Sequence, residues 1–211
     1  MKRRLTLSVV ALAVVSAAQA NLLVNGSFEV GPSGDYYAGG NGDSTVAGWV
    51  GMGTGYEWFK PATVYGGVLN STASDQLACV DLANLTNSYG DIKQSFATVI
   101  GQQYELKFDL STSTYAGRNG FGPISASVDT SNSTTTSMAF SVTNNQVPLV
   151  WTTFSMPFTA QDTTCTLRFE SFFNANEVFS FVDNARVTAV PEPGSLMALA
   201  IGALMIRRVK K

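Results

Sequence analysis

Strict alternation between apolar and polar residues, in several separate stretches, is the feature that most constrains the fold of this chain. The clearest stretch is residues 103–110, where the apolar side chains are Tyr104, Leu106, Phe108 and Leu110. Residues 152–158, 165–169 and 179–187 repeat the pattern, and Gly, Asn and Ser clusters separate such stretches. A strand with one buried and one solvated face alternates in this way, whereas sustained helical periodicity does not occur before the C-terminal tail. The sequence therefore predicts an all-β fold, an antiparallel two-sheet β-sandwich.

The two ends of the chain are predicted to be targeting segments rather than parts of this sandwich. Residues 1–20 have a basic start, an apolar run and a small-residue site at Ala18-Gln19-Ala20, which is typical of a secretory signal peptide cleaved after Ala20. At the other end, Pro191-Glu192-Pro193 precedes an apolar run and five mostly basic residues. We therefore expect a signal peptide at 1–20, one β-sandwich domain at 21–189 and a sorting signal at 190–211, in which residues 195–206 form a short hydrophobic transmembrane helix.

The tail resembles the PEP-CTERM sorting signal in both the order and the identity of its parts, with Pro191, Glu192 and Pro193 as the motif. That resemblance implies processing by an exosortase-type membrane enzyme in a Gram-negative bacterium that makes extracellular polysaccharide. The expected location is the cell envelope, outer surface or extracellular matrix, with transient anchoring in the inner membrane through the C-terminal segment. The alternative is an ordinary C-terminal membrane anchor.

The charge and the absence of histidine exclude several function classes. Residues 21–190 contain six basic and fourteen acidic residues, a formal charge of −8, which is unfavourable for nucleic acid. Without histidine the chain has no Ser-His-Asp triad and no His-ligated zinc. A glycosidase requires two carboxylates in one cleft, and no pair stands out in the sequence. We therefore expect that the protein is not an enzyme.

The predicted domain has a resemblance of its own. The start Asn21-Leu22-Leu23-Val24-Asn25-Gly26-Ser27-Phe28-Glu29, Gly48-Trp49 and the segment 181–187 are similar to choice-of-anchor C proteins and, more distantly, to jelly-roll carbohydrate-binding modules. The resemblance implies a galactose-binding-like jelly-roll β-sandwich and does not fix a ligand.

Related modules often hold a structural calcium between an acidic residue of the first strand and one of the last. Glu29 and Asp183 occupy the matching positions, and Asn25 or Asn184 would add oxygen ligands. The alternative is that both carboxylates merely end strands or accept hydrogen bonds from nearby amides.

The two cysteines, Cys79 and Cys165, lie in a chain that the signal peptide directs to an oxidising or extracellular space. We therefore expect a Cys79–Cys165 disulfide. Two buried free thiols are the alternative, because both residues occur within apolar strand patterns.

Aromatic residues in loop-rich sequence are the candidate ligand-binding groups, since flat rings cover the C–H faces of sugars. The candidates are Tyr36, Tyr37, Trp58, Tyr65 and Tyr115, and we expect Trp58 to be the exposed tryptophan. The prediction is an exported, non-catalytic protein that associates with extracellular polysaccharide. A purely structural surface or biofilm matrix protein without sugar binding is one alternative, and a jelly-roll carbohydrate-active enzyme is another.

Overall fold

A computed structural model describes residues 20–82, 90–130, 135–172 and 177–191. Within them Asn21–Val190 forms one compact unit, built from eleven strands and two short 3-10 turns, Val64–Gly67 and Tyr115–Gly117. The strands are β1 (Tyr36–Gly39), β2 (Val50–Gly53), β3 (Tyr56–Phe59), β4 (Cys79–Asp81), β5 (Gly90–Ala97), β6 (Gln103–Ser111), β7 (Phe121–Thr130), β8 (Thr135–Thr143), β9 (Thr152–Thr159), β10 (Thr164–Ser171) and β11 (Phe181–Ala189). The predicted signal peptide and most of the predicted sorting tail lie outside the described residues.

The strands form two antiparallel sheets, as the alternation predicts. The six-stranded sheet has the order β1-β3-β4-β11-β6-β9, and the five-stranded sheet has the order β2-β5-β10-β7-β8. Side chains from both sheets enter one apolar core, including Leu106 and Val182 from the first and Leu167 and Phe169 from the second. The predicted antiparallel β-sandwich is confirmed.

Aromatic rings fill much of this core. The ring of Trp49 lies 5.0 Å from Phe28 and 6.1 Å from Phe169, and Phe169 lies 5.0 Å from Phe108. Large rings contribute the most buried area per residue, and tilted or edge-on pairs add to it. The core therefore joins the two sheets and the segment around residue 28.

The segment Asn21–Glu29 forms turns and not the first strand that the sequence indicates. It is fixed to β11 by side-chain and backbone bonds: Asn21 Oδ1 accepts from Val187 N at 2.9 Å, and Ala185 N donates to Gly26 O at 2.8 Å. Gly26 is required here, because a Cβ would lie 1.9 Å from the carbonyl oxygen of Ala185. Asn21 and Gly26 therefore attach this segment to β11, next to the register shift of that strand between Asp183 and Arg186.

The structure does not contain the predicted disulfide, and both cysteines are buried free thiols. Cys165 lies in the core between the sheets. Cys79 belongs to a second apolar cluster with Phe59 and Phe181, on the opposite face of the six-stranded sheet, because its neighbour Val80 is the residue that points into the core. A sheet therefore separates the two sulfur atoms. Burial raises the pKa of the Cys79 thiol well above its ordinary value, and the nearby Asp183 carboxylate adds to the effect.

Among the described residues, no helix has the length and apolar character needed to cross a membrane.

Candidate functional site

Three of the predicted tyrosines meet at one end of the outer face of the six-stranded sheet. Tyr36 comes from β1, while Tyr65 and Tyr115 come from the two 3-10 turns. The rings of Tyr65 and Tyr115 are 5.1 Å apart and tilted by 31°. Tyr36 is the register partner of Phe59, and Phe59 belongs to the apolar cluster against which Tyr65 and Tyr115 pack. Burial raises the pKa of the Tyr65 hydroxyl, and Glu57, Asp81 and Tyr36 raise it further. We call Tyr36, Tyr65, Tyr115 and the adjacent Arg118 the tyrosine site.

The backbone that presents two of these rings is strained. Tyr65 has φ 55° and ψ 32°, and Ala116, next to Tyr115, has φ 54° and ψ 32°. The left-handed region is unfavourable for residues with a Cβ, and such residues concentrate at functional sites. The glycines that follow, at 66 and 117, continue each turn at positive φ. Two turns of similar shape therefore bring their tyrosines together despite a conformational cost.

Two carboxylates lie side by side beneath the tyrosines. Glu57 on β3 is the register partner of Asp81 on β4, and each residue is only 1% exposed. Asp81 Oδ1 accepts a hydrogen bond from Ser180 N at 2.9 Å. The Tyr36 hydroxyl donates to the Glu57 carboxylate; burial raises the pKa of this hydroxyl and Glu57 raises it further, so the tyrosine stays protonated.

A cation and two phenyl rings complete the base of the site. The Arg118 guanidinium lies 4.6 Å from the ring centroid of Phe179, and Phe179 stacks on Phe181 at 5.0 Å. A cation over the face of an aromatic ring is attracted by the ring quadrupole. The arrangement therefore combines partly exposed aromatic faces with hydroxyl and guanidinium donors.

Trp58 and Tyr37 do not belong to this site, and the expectation that Trp58 is exposed is wrong. Trp58 is 2% exposed, and its indole N–H donates to the carbonyl of Phe28 at 2.7 Å. Both faces of β3 are covered, so its alternation places Glu57 under the tyrosines and Trp58 in the core.

The Tyr37 hydroxyl donates to Asp43 Oδ2 at 2.6 Å, and the Tyr56 hydroxyl donates to Oδ1 at 2.7 Å. Burial opposes ionisation of Asp43, but these hydrogen bonds lower its pKa overall. Tyr37 therefore holds the loop that carries Asp43.

Glu29 and Asp183, the predicted calcium ligands, both accept hydrogen bonds from one loop. Glu29 Oε1 accepts from the amides of Leu77 and Ala78 at 2.9 and 2.7 Å, and Asp183 Oδ2 accepts from Asp75 N at 2.7 Å. Among the described residues, no group of three or more His, Cys, Asp or Glu is arranged as a metal site. The contacts match the backbone-amide alternative, and calcium stays a prediction.

Asp183 is fully buried, and its surroundings change its ionisation. Burial raises the pKa of its carboxyl to about 8, against the opposing effect of the amides of Asp75 and Asn184. The nearby carboxylates of Asp75 and Glu29 raise it as well.

The predicted additional ligands have other partners. Asn25 Oδ1 accepts from Val30 N at 2.9 Å, and Asn184 Nδ2 donates to Asp109 at 2.9 Å. The buried Asp109 also accepts hydrogen bonds from Ser74 and Thr153.

Sequence reasoning missed two features: the pairing of Glu57 with Asp81, and the burial of Asp109 as an acceptor of hydrogen bonds from neighbouring side chains. The usable signal was that Glu57 shares a strand face with Phe59, and Asp81 with Cys79. Alternation identifies the face within a strand, but it does not say which strands are neighbours.

Two family descriptions match the chain. One, "Protein of unknown function (DUF642)", covers residues 21–182, and the other, the PEP-CTERM protein-sorting motif, covers residues 189–211. The predicted PEP-CTERM resemblance is confirmed. No curated protein matches.

Solved carbohydrate-binding modules have a similar fold. One is TmCBM61 in complex with β-1,4-galactotriose, with 15% identity, a TM-score of 0.53 and coverage of 81% of this chain and 99% of that one. Another is the N-terminal CBM22-1-CBM22-2 tandem domain of Xyn10C from Paenibacillus barcinonensis, with 16% identity, a TM-score of 0.51 and coverage of 84% and 48%. At these identities the likeness concerns the fold, which agrees with the predicted galactose-binding-like jelly roll.

Proposed function

We infer the role of this chain from two facts: it belongs to the DUF642 family, and it ends in a PEP-CTERM sorting motif. The motif indicates an exported protein sorted to the cell envelope. The proposed function is non-catalytic binding of an extracellular polysaccharide through the tyrosine site. The observation that carries this proposal is the convergence of Tyr36, Tyr65 and Tyr115 from three separate elements.

The chemistry of the tyrosine site suits a sugar. Partly exposed rings can cover the C–H faces of a pyranose, while hydroxyl and guanidinium groups donate to its oxygens. The ring pair of Tyr65 and Tyr115 is held on strained turns and packs against an apolar cluster. A rigid aromatic surface loses little conformational entropy on binding.

Burial of the paired carboxylates supports a binding role over a catalytic one. A glycosidase needs two carboxyl groups that reach the scissile bond, whereas Glu57 and Asp81 are each 1% exposed. A general acid must come within hydrogen-bonding distance of its substrate. These two residues instead support the strands beneath the tyrosines.

The proposed partners are an exosortase-type enzyme and the polysaccharide outside the cell. A Gram-negative origin and transient membrane attachment belong to this proposal and are inferred from the sorting motif. A structural matrix protein without sugar affinity would need no accessible aromatic site, so sugar binding distinguishes the two roles.

Screening the purified protein on a glycan array, followed by calorimetry with each hit, tests the proposal. β-1,4-Galactotriose is included because a module of similar fold was solved with it. Tyr65→Ala and Tyr115→Ala should each weaken binding more than about fivefold, the effect of losing a contact worth over about 1 kcal/mol. The control is Met138→Ala, which removes an exposed apolar side chain from β8 of the other sheet.

Unchanged affinity in both tyrosine variants would mean that the sugar binds to another surface of the domain. Absence of binding to every glycan would favour the structural matrix protein.

A further inference from the structure

We propose that the turn between β5 and β6, residues 98–102, is a membrane-contacting loop that rests on a lipid surface while the C-terminal segment tethers the protein. This interaction surface is separate from the proposed glycan site. Its evidence is the exposure of two β-branched apolar side chains at the turn and the position of the turn beside the start of the sorting tail.

The tip of the turn is apolar where turns are usually polar. Val99 is 66% exposed and Ile100 is 62% exposed. Gln102 N donates to Val99 O at 3.0 Å, and Gly101 has φ 81°, which is the pattern of a tight turn with glycine at its third position. Turn positions normally carry Gly, Pro, Asn, Asp or Ser, so neither the fold nor the turn accounts for Val99 and Ile100.

Hydrogen bonds hold this turn in one conformation. Val99 N donates to the Tyr104 hydroxyl at 2.9 Å, and Gly101 N donates to Ala160 O at 2.8 Å. Thr98 N donates to Thr163 O at 2.9 Å in the β9–β10 turn. The two apolar side chains are therefore presented by a braced loop, and their insertion would not require the backbone to reorganise.

The turn lies where the folded domain ends. Val190 N donates to Gln103 O at 2.8 Å, and Gln102 Nε2 donates to Val190 O at 2.8 Å. Five residues separate Val190 from Leu196, the first residue of the apolar run. Even a fully extended chain spans at most about 20 Å over that interval. If the apolar run enters a bilayer, the turn is held close to the bilayer surface.

The chemistry of the turn favours hydrocarbon over charged headgroups. Val99 and Ile100 gain by leaving water, and an apolar side chain can enter the interfacial region of a bilayer. The acidic balance of residues 21–190 opposes attraction to anionic lipid. We therefore expect contact with an uncharged bilayer, driven by these two side chains.

The test uses residues 21–211, the chain without its predicted signal peptide, reconstituted through the C-terminal segment into phosphatidylcholine vesicles. Ile100→Cys is labelled with an environment-sensitive fluorophore, and the native cysteines stay unlabelled because both are buried. The matched control is Val68→Cys, a 46% exposed β-branched residue in the loop beside the tyrosine site. We expect emission from position 100 to shift to shorter wavelength and to be quenched by spin-labelled lipid, with neither effect at position 68.

A second variant asks whether the apolar turn drives the contact. Adding Val99→Asp to the labelled Ile100→Cys chain should abolish the shift and the quenching while leaving the melting temperature unchanged, since Val99 is exposed. Equal signals at positions 68 and 100, or no lipid quenching at position 100, would overturn the proposal. A shift that appears only at high protein density on the vesicle would also overturn it, because the turn would then be contacting a second copy of the chain.

Discussion

Replacement of Trp58 is the most direct test of whether this residue packs in the core or, as expected from the sequence, forms an exposed surface for a ligand. Its indole lies in the core, with the N–H donating to Phe28 O at 2.7 Å. Gly31 packs against the indole so closely that a Cβ there would lie 2.7 Å from it. Trp58→Phe keeps an aromatic ring and removes the donor, whereas Trp58→Ala removes the ring as well.

The magnitudes follow from these contacts. Truncating a buried aromatic to alanine costs about 3–5 kcal/mol, which is a large share of the about 5–15 kcal/mol that stabilises an ordinary domain. Trp58→Phe leaves the buried carbonyl of Phe28 without its donor, which costs about 1–3 kcal/mol. The phenylalanine variant should therefore fold with measurably reduced stability, while the alanine variant should be marginal.

Urea unfolding followed by tryptophan fluorescence and circular dichroism measures both effects. We expect a lower midpoint with an unchanged slope in Trp58→Phe, since the slope reports the surface exposed on unfolding. Met138→Ala, at an exposed position on β8, is the control and should change stability by less than about 0.5 kcal/mol. A Trp58→Phe protein as stable as the wild type but without glycan affinity would refute the core assignment.

Three further predictions concern the backbone, the buried acid and the termini. Ala116→Gly should raise the free energy of unfolding by up to about 1 kcal/mol, because glycine adopts the left-handed conformation without the Cβ penalty. The control Ala139→Gly, on β8, should lower it, and the urea midpoints of the two variants measure both changes. In chelator, the free energy of unfolding should fall as the pH rises from about 4 to about 8, by up to about 1.4 kcal/mol per pH unit. The reason is that Asp183 in the folded protein, with a pKa of about 8, still holds a proton that the unfolded chain has released. That slope should be absent in Asp183→Asn, and if calcium binds at Glu29 and Asp183, adding it should remove the slope and raise the melting temperature of the wild type; identical melts in calcium and chelator would exclude the metal. In a host with the sorting system, intact mass should show a protein that begins at Asn21 and lacks the basic tail, and a secreted form that still ends at Lys211 would contradict processing.

The sequence predicts those parts of the fold that depend on neighbouring residues in the chain, and it fails where distant segments come together. In β6 the residues from Tyr104 to Phe108 alternate between buried and half-buried as expected, whereas Phe108 to Ser111 are all buried. In β3 the same reasoning fails, because Tyr56, Glu57, Trp58 and Phe59 are all buried. A loop and an apolar cluster cover the outer face of that strand. The alternation of four residues shows which side chains share a face, but it does not show whether other parts of the chain cover that face.

The candidate site was predicted in part for a similar reason. Tyr36, Tyr65 and Tyr115 were selected for their residue type and loop-rich surroundings, and the structure brings them together. Tyr37, the neighbour of Tyr36, points to the other side of β1, where its hydroxyl meets Asp43. Neighbouring residues of a strand face opposite ways. Composition therefore identifies the segment, but the strand pairing is needed to tell which of its two tyrosines faces the site.

The two proposed surfaces of the domain are separated by the length of two nine-residue strands, β6 and β11. β6 begins beside Val190 and ends shortly before Tyr115, and β11 runs from Phe181 near the tyrosine site back to Val190. Nine residues at about 3.3 Å each extend about 30 Å. The membrane-contacting loop and the tyrosine site therefore lie at opposite ends of these strands.

This separation predicts that the two surfaces act independently, because sites more than about 10 Å apart without shared partners have additive effects. Val99→Asp should leave glycan affinity in solution within about twofold of the wild type, and Tyr65→Ala should leave the lipid quenching at position 100 unchanged. Calorimetry on the first variant and vesicle quenching on the second provide the comparison. Loss of glycan affinity in Val99→Asp would mean that the turn and the tyrosines are coupled through β6, since that strand reaches both ends.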